Sequence, residues 1–121
     1  MNIQEIADRL VALSRQGNVQ KCYDELYASD IVSIEPEGFP GDTTSTGMDA
    51  VMRKLEQVAA SVKEVHGTEI GDPMVADSHF ALRWKTHLTY HGSTDTTIID
   101  EIAVYEVEDS KIVREQFFYK A

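Results

Sequence analysis

The chain is poor in the residues that staple it, kink it or charge it positively. It holds a single cysteine, Cys22, so no internal disulfide can form, and that residue falls inside a helical pattern as a small buried hydrophobe. With only three prolines and seven glycines there is no linker or low-complexity tract, and no internal repeat is visible. No apolar run approaches the roughly 20 residues that cross a bilayer. The opening MNIQEIADRLVALSRQG lacks the basic start and continuous apolar stretch of a secretory signal. Basic residues are scarce, 11 Lys and Arg against 21 Asp and Glu, for a formal net charge of -10. That balance repels polyanions and, with no basic cluster, argues against nucleic acid as a partner. The expectation is a cytoplasmic protein, with no membrane and no nucleic-acid partner.

What is present is enough for one domain over residues 1–121, with 42% hydrophobic residues to build a core. Ile3, Ile6, Leu10 and Leu13 recur at three- and four-residue spacing, and Gly17 is a natural stop. Asn18 is placed to cap a second helix striped by Val19, Cys22, Tyr23 and Leu26. A short strand follows in DIVSIEPEGFPGD, with Ile31, Ser33 and Glu35 on one face. Val51, Met52, Leu55, Val58, Ala59 and Val62 mark a third helix, with Thr46 and Asp49 as a capping-box variant. From Glu64 the period becomes two: strand over 65–76 interrupted at Gly71-Asp72-Pro73, then 79–90, about 96–107, and 111–119. Three N-terminal helices packed on a strongly curved antiparallel sheet, an α+β cone with an internal pocket, is the expected fold.

Register turns alternation into a candidate site. If strand 79–90 returns through the turn near Gly92, Lys85 faces Asp100 as a cross-strand ion pair, and Trp84 faces Glu101. Glu101 then shares a face with Phe80, Leu82, Trp84 and Tyr105, which the helices cover. Carried through a three-residue turn at Glu108-Asp109-Ser110, the register adds Val113, Glu115, Phe117 and Tyr119 to that face, with Glu115 near Ala103. Buried acids must share protons, meet donors or line a wet cavity. Two readings stay open: general acid–base groups with raised proton affinity, or internally bonded acids that only orient the sheet.

Helix, Gly-Asn, helix, ASDIVSIEPEG, a third helix, bulged hairpins and a terminal KIVREQFFY resemble the SnoaL-like branch of the nuclear transport factor 2-like superfamily. SIEPEG, IDEIAVYEV and KIVREQFFY carry the resemblance most specifically. It implies a cone of curved sheet closed by three helices around a pocket, often dimeric through the sheet's outer face, in a family of ketosteroid isomerases, polyketide cyclases, dehydratases and noncatalytic binders. Glu35 takes the place of the isomerase base, which precedes a proline and a glycine. The isomerase's oxyanion tyrosine would fall near Leu10 and its protonated aspartate near Ala103, so both donors are missing. Glu35, Glu101 and Glu115 are thus the candidate catalytic acids. Trp84, Tyr105, Phe117 and Tyr119 are candidate pocket walls, and Tyr23 and Phe39 core or lid packing at the pocket. His66 is brought inward if the bulge at 71–73 shifts parity.

His79, His87 and His91 share parity with Arg83 and Lys85 on the outer face, and no metal-ligand spacing is visible. The outer face mixes charges with Ile98, Ile102, Val104 and Phe118, from which a homodimer burying that face is expected. The expected function is a pocket for a small hydrophobic molecule, moving protons on a carbonyl compound as isomerase, cyclase or dehydratase, with no cofactor. The alternative is a noncatalytic ligand-binding or dimerisation module.

Overall fold

A computed structural model describes residues 1–121. Helix α1 (Ile3–Arg15) opens on Asn2, whose side chain accepts from the Glu5 N–H at 2.9 Å while Glu5 accepts from the Asn2 N–H at 3.0 Å. This reciprocal cap satisfies two orphan donors. The apolar stripe is realised, with Ile6, Leu10 and Leu13 buried. Gly17, at φ 75°, ends the helix in the left-handed region that glycine tolerates. Helix α2 (Val19–Leu26) runs straight into β1 (Tyr27–Ile34). Asn18 sits at the N-cap of α2 but makes no side-chain cap bond.

A three-residue strand, β2 (Thr44–Thr46), precedes α3 (Met48–Ser61). Here the structure departs from the expected capping. Thr46 lies in β2, the N-cap is Gly47 at φ 88°, and no side chain caps the helix. The inward face is also rotated: Val58 and Ala59 are exposed, whereas Lys54 is buried one turn from Val51.

The remaining strands are β3 (Val62–Ile70), β4 (Met74–Val75), β5 (His79–Tyr90), β6 (Thr97–Glu108) and β7 (Lys111–Phe118). They form an open seven-stranded sheet ordered β2-β1-β7-β6-β5-β3, with β4 beside β5. The α+β class is as expected. One pairing is not antiparallel: β1 lies parallel to β7, with Ser33 level with Glu115. Parallel neighbours need a long crossover, and residues 35–110, which carry β2 to β6 and α3, supply it here.

The β5–β6 register is the one read from the turns, Trp84 opposite Glu101 and Lys85 opposite Asp100. Asp100, however, is gripped diagonally by Arg83 through two bonds of 2.8 and 2.6 Å, not by Lys85. The β6–β7 connection is tighter than expected, a two-residue turn with Asp109 at φ 49° and Ser110 at φ 61°. Val113 is then an extra residue, since Ile112 faces Val107 and Arg114 faces Glu106. The bulge keeps Glu115 on the inner face but sets it opposite Tyr105, with Phe117 opposite Ala103. Inside, Ile31, Leu82, Ile112 and a stacked Phe80–Tyr105 pair (centroids 4.7 Å apart) meet the helices.

Ser110 is an L-residue held in a conformation that favours glycine. Ser110→Gly is expected to raise stability by about 0.5–1 kcal/mol, read as a higher urea midpoint with unchanged slope.

Candidate active site

The site grows from the β1–β7 pair. Ser33 and Glu115 are level in register, face inward and are both 0% exposed. Tyr23, on α2, donates its hydroxyl to both carboxylate oxygens of Glu115, at 3.0 and 2.9 Å, and Ser33 Oγ donates to Oε2 at 2.9 Å. Lys54 reaches down from α3: its Nζ donates to Ser33 Oγ at 2.5 Å and to Glu35 Oε2 at 2.8 Å. Tyr119 donates to Glu35 Oε1 at 2.7 Å. One unbroken hydrogen-bonded chain therefore runs Tyr119–Glu35–Lys54–Ser33–Glu115–Tyr23. The ammonium also stands 5.4 Å from the Phe117 ring centroid, within cation–π range. No fully buried side-chain nitrogen or oxygen lacks a hydrogen-bond partner.

Three acids share one cation but not one environment. Burial raises the Glu115 carboxyl above the usual range, against the opposing pull of the Tyr27, Tyr23 and Ser33 hydroxyls and the Lys54 charge. Burial also pushes Tyr23, Tyr27 and Tyr105 well above ordinary tyrosine, and the charge of Glu115 adds to each. Tyr119 is raised by burial and then by its bond to Glu35. Glu101 is half-buried and has no hydrogen-bond partner in the protein. Its carboxyl is pushed up to about 7 by burial, then by Glu35 and Glu115, with Lys54 opposing.

Most residues singled out from the sequence gather here. Trp84 faces Glu101 and donates its indole N–H to Tyr105 Oη at 3.2 Å. Phe117 stands opposite Ala103, a step along the inner face from Glu101. Phe39 lines a cleft of about 150 Å³ with Thr44, Ser45, Ala50, Arg53 and Lys54. A larger cavity of about 290 Å³ lies on the opposite face of the sheet, walled by His79, Val104, Glu106, Arg114 and Gln116, and touches none of the three acids.

His66 does not join them. It is exposed on β3, its Nε2 2.8 Å from Thr89 Oγ1 and its Nδ1 3.8 Å from Glu64. The parity shift falls at His66 itself, between Val65 and Gly67, rather than at 71–73. Nor does any group of three or more His, Cys, Asp and Glu come together to hold a metal.

Two members of the network carry no role in the sequence reading. Ser33 shares the inner face with Glu35, which was legible, but alternation alone does not reveal its partners. Lys54 sits three residues after Val51, on the helix face that periodicity directs inward, and a lysine there was the available signal.

Three helices over an open mixed sheet, with a polar network on the covered face, define an α+β cone of the nuclear transport factor 2-like type. The SnoaL-like domain model matches residues 1–119, and the chain belongs to that family. A crystal structure described as a SnoaL-like polyketide cyclase (carbohydrate phosphatase) from Mesorhizobium loti is 34% identical, with TM-score 0.87, over 98% of this chain and 100% of that one. An NTF2-like protein from Burkholderia thailandensis superposes with TM-score 0.85 at 17% identity, over 99% and 92% of the two chains. A protein with a ketosteroid isomerase-like fold from Catenulispora acidiphila, solved with trimethylamine, gives 0.72 at 15% identity over 99% and 88%. The last two show the fold alone. No curated protein matches the chain.

Two outcomes follow from this electrostatics. The Glu101 carboxyl is raised from 4.5 to about 7 in the fold, so its contribution to stability is whole below 4.5 and is lost as pH rises through 7. At about 1.4 kcal/mol per unit, the loss is on the order of 3 kcal/mol. Glu101→Gln should therefore gain stability relative to the wild type between pH 5 and 8, measured by urea unfolding at each pH. Lys54→Met strands Glu35 and should cost about 3–5 kcal/mol. It should also move the Glu101 titration still higher, followed by carboxyl NMR.

Proposed function

We propose that this protein binds a small, largely apolar carbonyl compound and moves a proton on it, with Glu101 as the exchanging carboxyl. The observation that carries this reading is the state of Glu101: half-buried beside Trp84 on the inner face, bonded to no protein group, and pushed up to about 7. A carboxyl with that proton affinity divides between acid and base at neutral pH, where general acid–base catalysis is most effective. By the family resemblance Glu35 takes the place of the isomerase base, but both of its oxygens are held, by Lys54 and Tyr119. That favours Glu35 and Glu115 as orienting acids that set the charge around Glu101.

In the forward step the ionised Glu101 takes a proton from the carbon beside the carbonyl. The C–H electron pair becomes the carbon–carbon double bond of an enolate, and the negative charge settles on oxygen. The Tyr105 hydroxyl, which accepts from Trp84 and keeps its own proton to give, receives that charge. Return of the proton to a second carbon is isomerisation. Use of the same electrons to close a ring or expel hydroxide is cyclisation or dehydration. Trp84 and Phe117 form the walls, Phe39 packs over the adjoining cleft, and no cofactor takes part. The name borne by the Mesorhizobium loti relative, polyketide cyclase, is in keeping with this class.

The outer face supports a homodimer, since Ile102 and Phe118 lie opposite each other 45% and 50% exposed, and Ile98 further along β6 is 53% exposed. A second reading, a noncatalytic binding module, draws on the complete internal bonding of Glu35 and Glu115. No helix is long and apolar enough to cross a membrane; a cytoplasmic location is proposed from the single, buried cysteine.

Small cyclic ketones incubated with the protein in deuterated water test the reaction class. Loss of the α-proton NMR signal should accelerate as pH rises through about 7. Glu101→Gln should slow it by about 10²–10⁴-fold. Equal exchange by wild type and variant would remove Glu101 from the chemistry.

A further inference from the structure

Glu115 poses a problem that the reaction at Glu101 leaves open. It is 0% exposed, so no water reaches it, yet it carries an ionisable group in the middle of an acid–base network. Its hydrogen-bonded neighbours are Tyr23 and Ser33. Tyr23 is 4% exposed and stacked at 4.2 Å on Tyr27, which is itself buried, so that side opens to no solvent. Ser33 does lead onward, because its oxygen accepts from Lys54. Lys54 in turn forms part of the wall of the cleft between the Phe39 loop, β2 and α3.

We propose that this cleft, which Glu101 does not line, is a proton inlet, and that Lys54 and Ser33 are positioning residues relaying protons between its water and Glu115. The directions of the hydrogen bonds already suit an inward shift. Lys54 gives a proton to Ser33 Oγ as Ser33 gives its own to Glu115 Oε2. Lys54, left as an amine, takes a proton from a hydronium ion in the cleft, which becomes water. One O–H bond forms on Glu115, one breaks in the solvent species, and Ser33 and Lys54 end as they began. Nothing is oxidised or reduced.

The groups facing the relay fit that task. Glu35 holds Lys54 in place from β1, Tyr119 holds Glu35, and Tyr23 and Tyr27 close the far side of Glu115. Glu101 lies beyond Lys54 on the substrate side and exchanges with solvent by its own exposed edge. The cleft's other charges, Arg53 and Asp42, stand at its walls and take no bond in the relay. A ligand that covers Glu101 would therefore leave Glu115 in contact with bulk pH. The inference stands whatever the role of Glu101.

Threonine and valine have the same shape and differ by one hydroxyl, so Ser33→Thr and Ser33→Val isolate the relay from packing. The readout is the side-chain carboxyl signal of Glu115 in the full-length, ¹³C-glutamate-labelled protein across a pH titration. Wild type and Ser33→Thr should give one averaged signal. Ser33→Val should give separate protonated and ionised signals, with exchange at least about tenfold slower. Ala50→Phe, which fills the cleft and touches neither Ser33 nor Glu115, should slow exchange similarly, and carries the test if Ser33→Val does not fold. Equal exchange in the Thr and Val variants would overturn the relay, and unchanged exchange in Ala50→Phe would overturn the cleft as its inlet. Neither result bears on deuterium exchange at a ketone, which reads Glu101.

Discussion

A single ammonium holds the site together. Withdrawing a lysine charge from water costs several kcal/mol, and the cost is met only where good geometry and further hydrogen bonds surround it. Lys54 has both: Ser33 and Glu35 as acceptors, and the face of Phe117 beside it. The reverse dependence is as strong. Glu35 has a side-chain exposure of 9% and Glu115 has none. Removing the cation would leave the Glu35 carboxylate without its charged partner in a nearly sealed site.

Around that cation the three acids are separated by environment rather than by distance alone. Glu35 is bound by an ammonium and a phenol, Glu115 by hydroxyls, and Glu101 by nothing. Burial raises the Glu101 and Glu115 carboxyls above the ordinary range, and of the two only Glu101 is left unbonded. The absence of bonds to Glu101 is itself informative. A buried polar group is ordinarily satisfied, and every fully buried one in this protein is, so an unbonded, half-buried carboxyl among the acids of this network leaves an interaction to be made.

The sequence was most legible where one period ran unbroken. Clean alternation in 79–90 and 97–108 was enough to pair Trp84 with Glu101 and to turn Glu101 inward. Tyr23, Tyr105, Glu115 and Tyr119 also landed on the inner side. Reading failed where a local irregularity reset the count. The tight turn at Asp109-Ser110 and the bulge at Val113 each shift the register by one residue in the same direction, and only their sum leaves Glu115 facing inward, opposite Tyr105 instead of Ala103. His66 went the other way, because the bulge that decides its direction is at the residue itself. Lys54 was hidden for a different reason. An apolar-stripe count passes over a lysine, although its long stem and buried head obey the same helical spacing as Val51.

The parallel pairing of β1 and β7 explains why the network forms at all. Each residue in it is unremarkable within its own segment, and alternation along either strand says nothing of what lies beside it. Laying the last strand along the first sets Ser33 level with Glu115 and brings Tyr119 to Glu35, across sequence separations of 82 and 84 residues. Because α3 follows β1 through only a short loop and β2, the same placement lowers Lys54 onto both. Loop-closure entropy must be overcome before such distant contacts form, so the acids are brought together only once β7 is docked. Until then Glu115 is solvated and its proton affinity ordinary. Folding and site assembly are therefore one event, and the pH dependence of stability and the poise of the acids have a common origin in that strand pair.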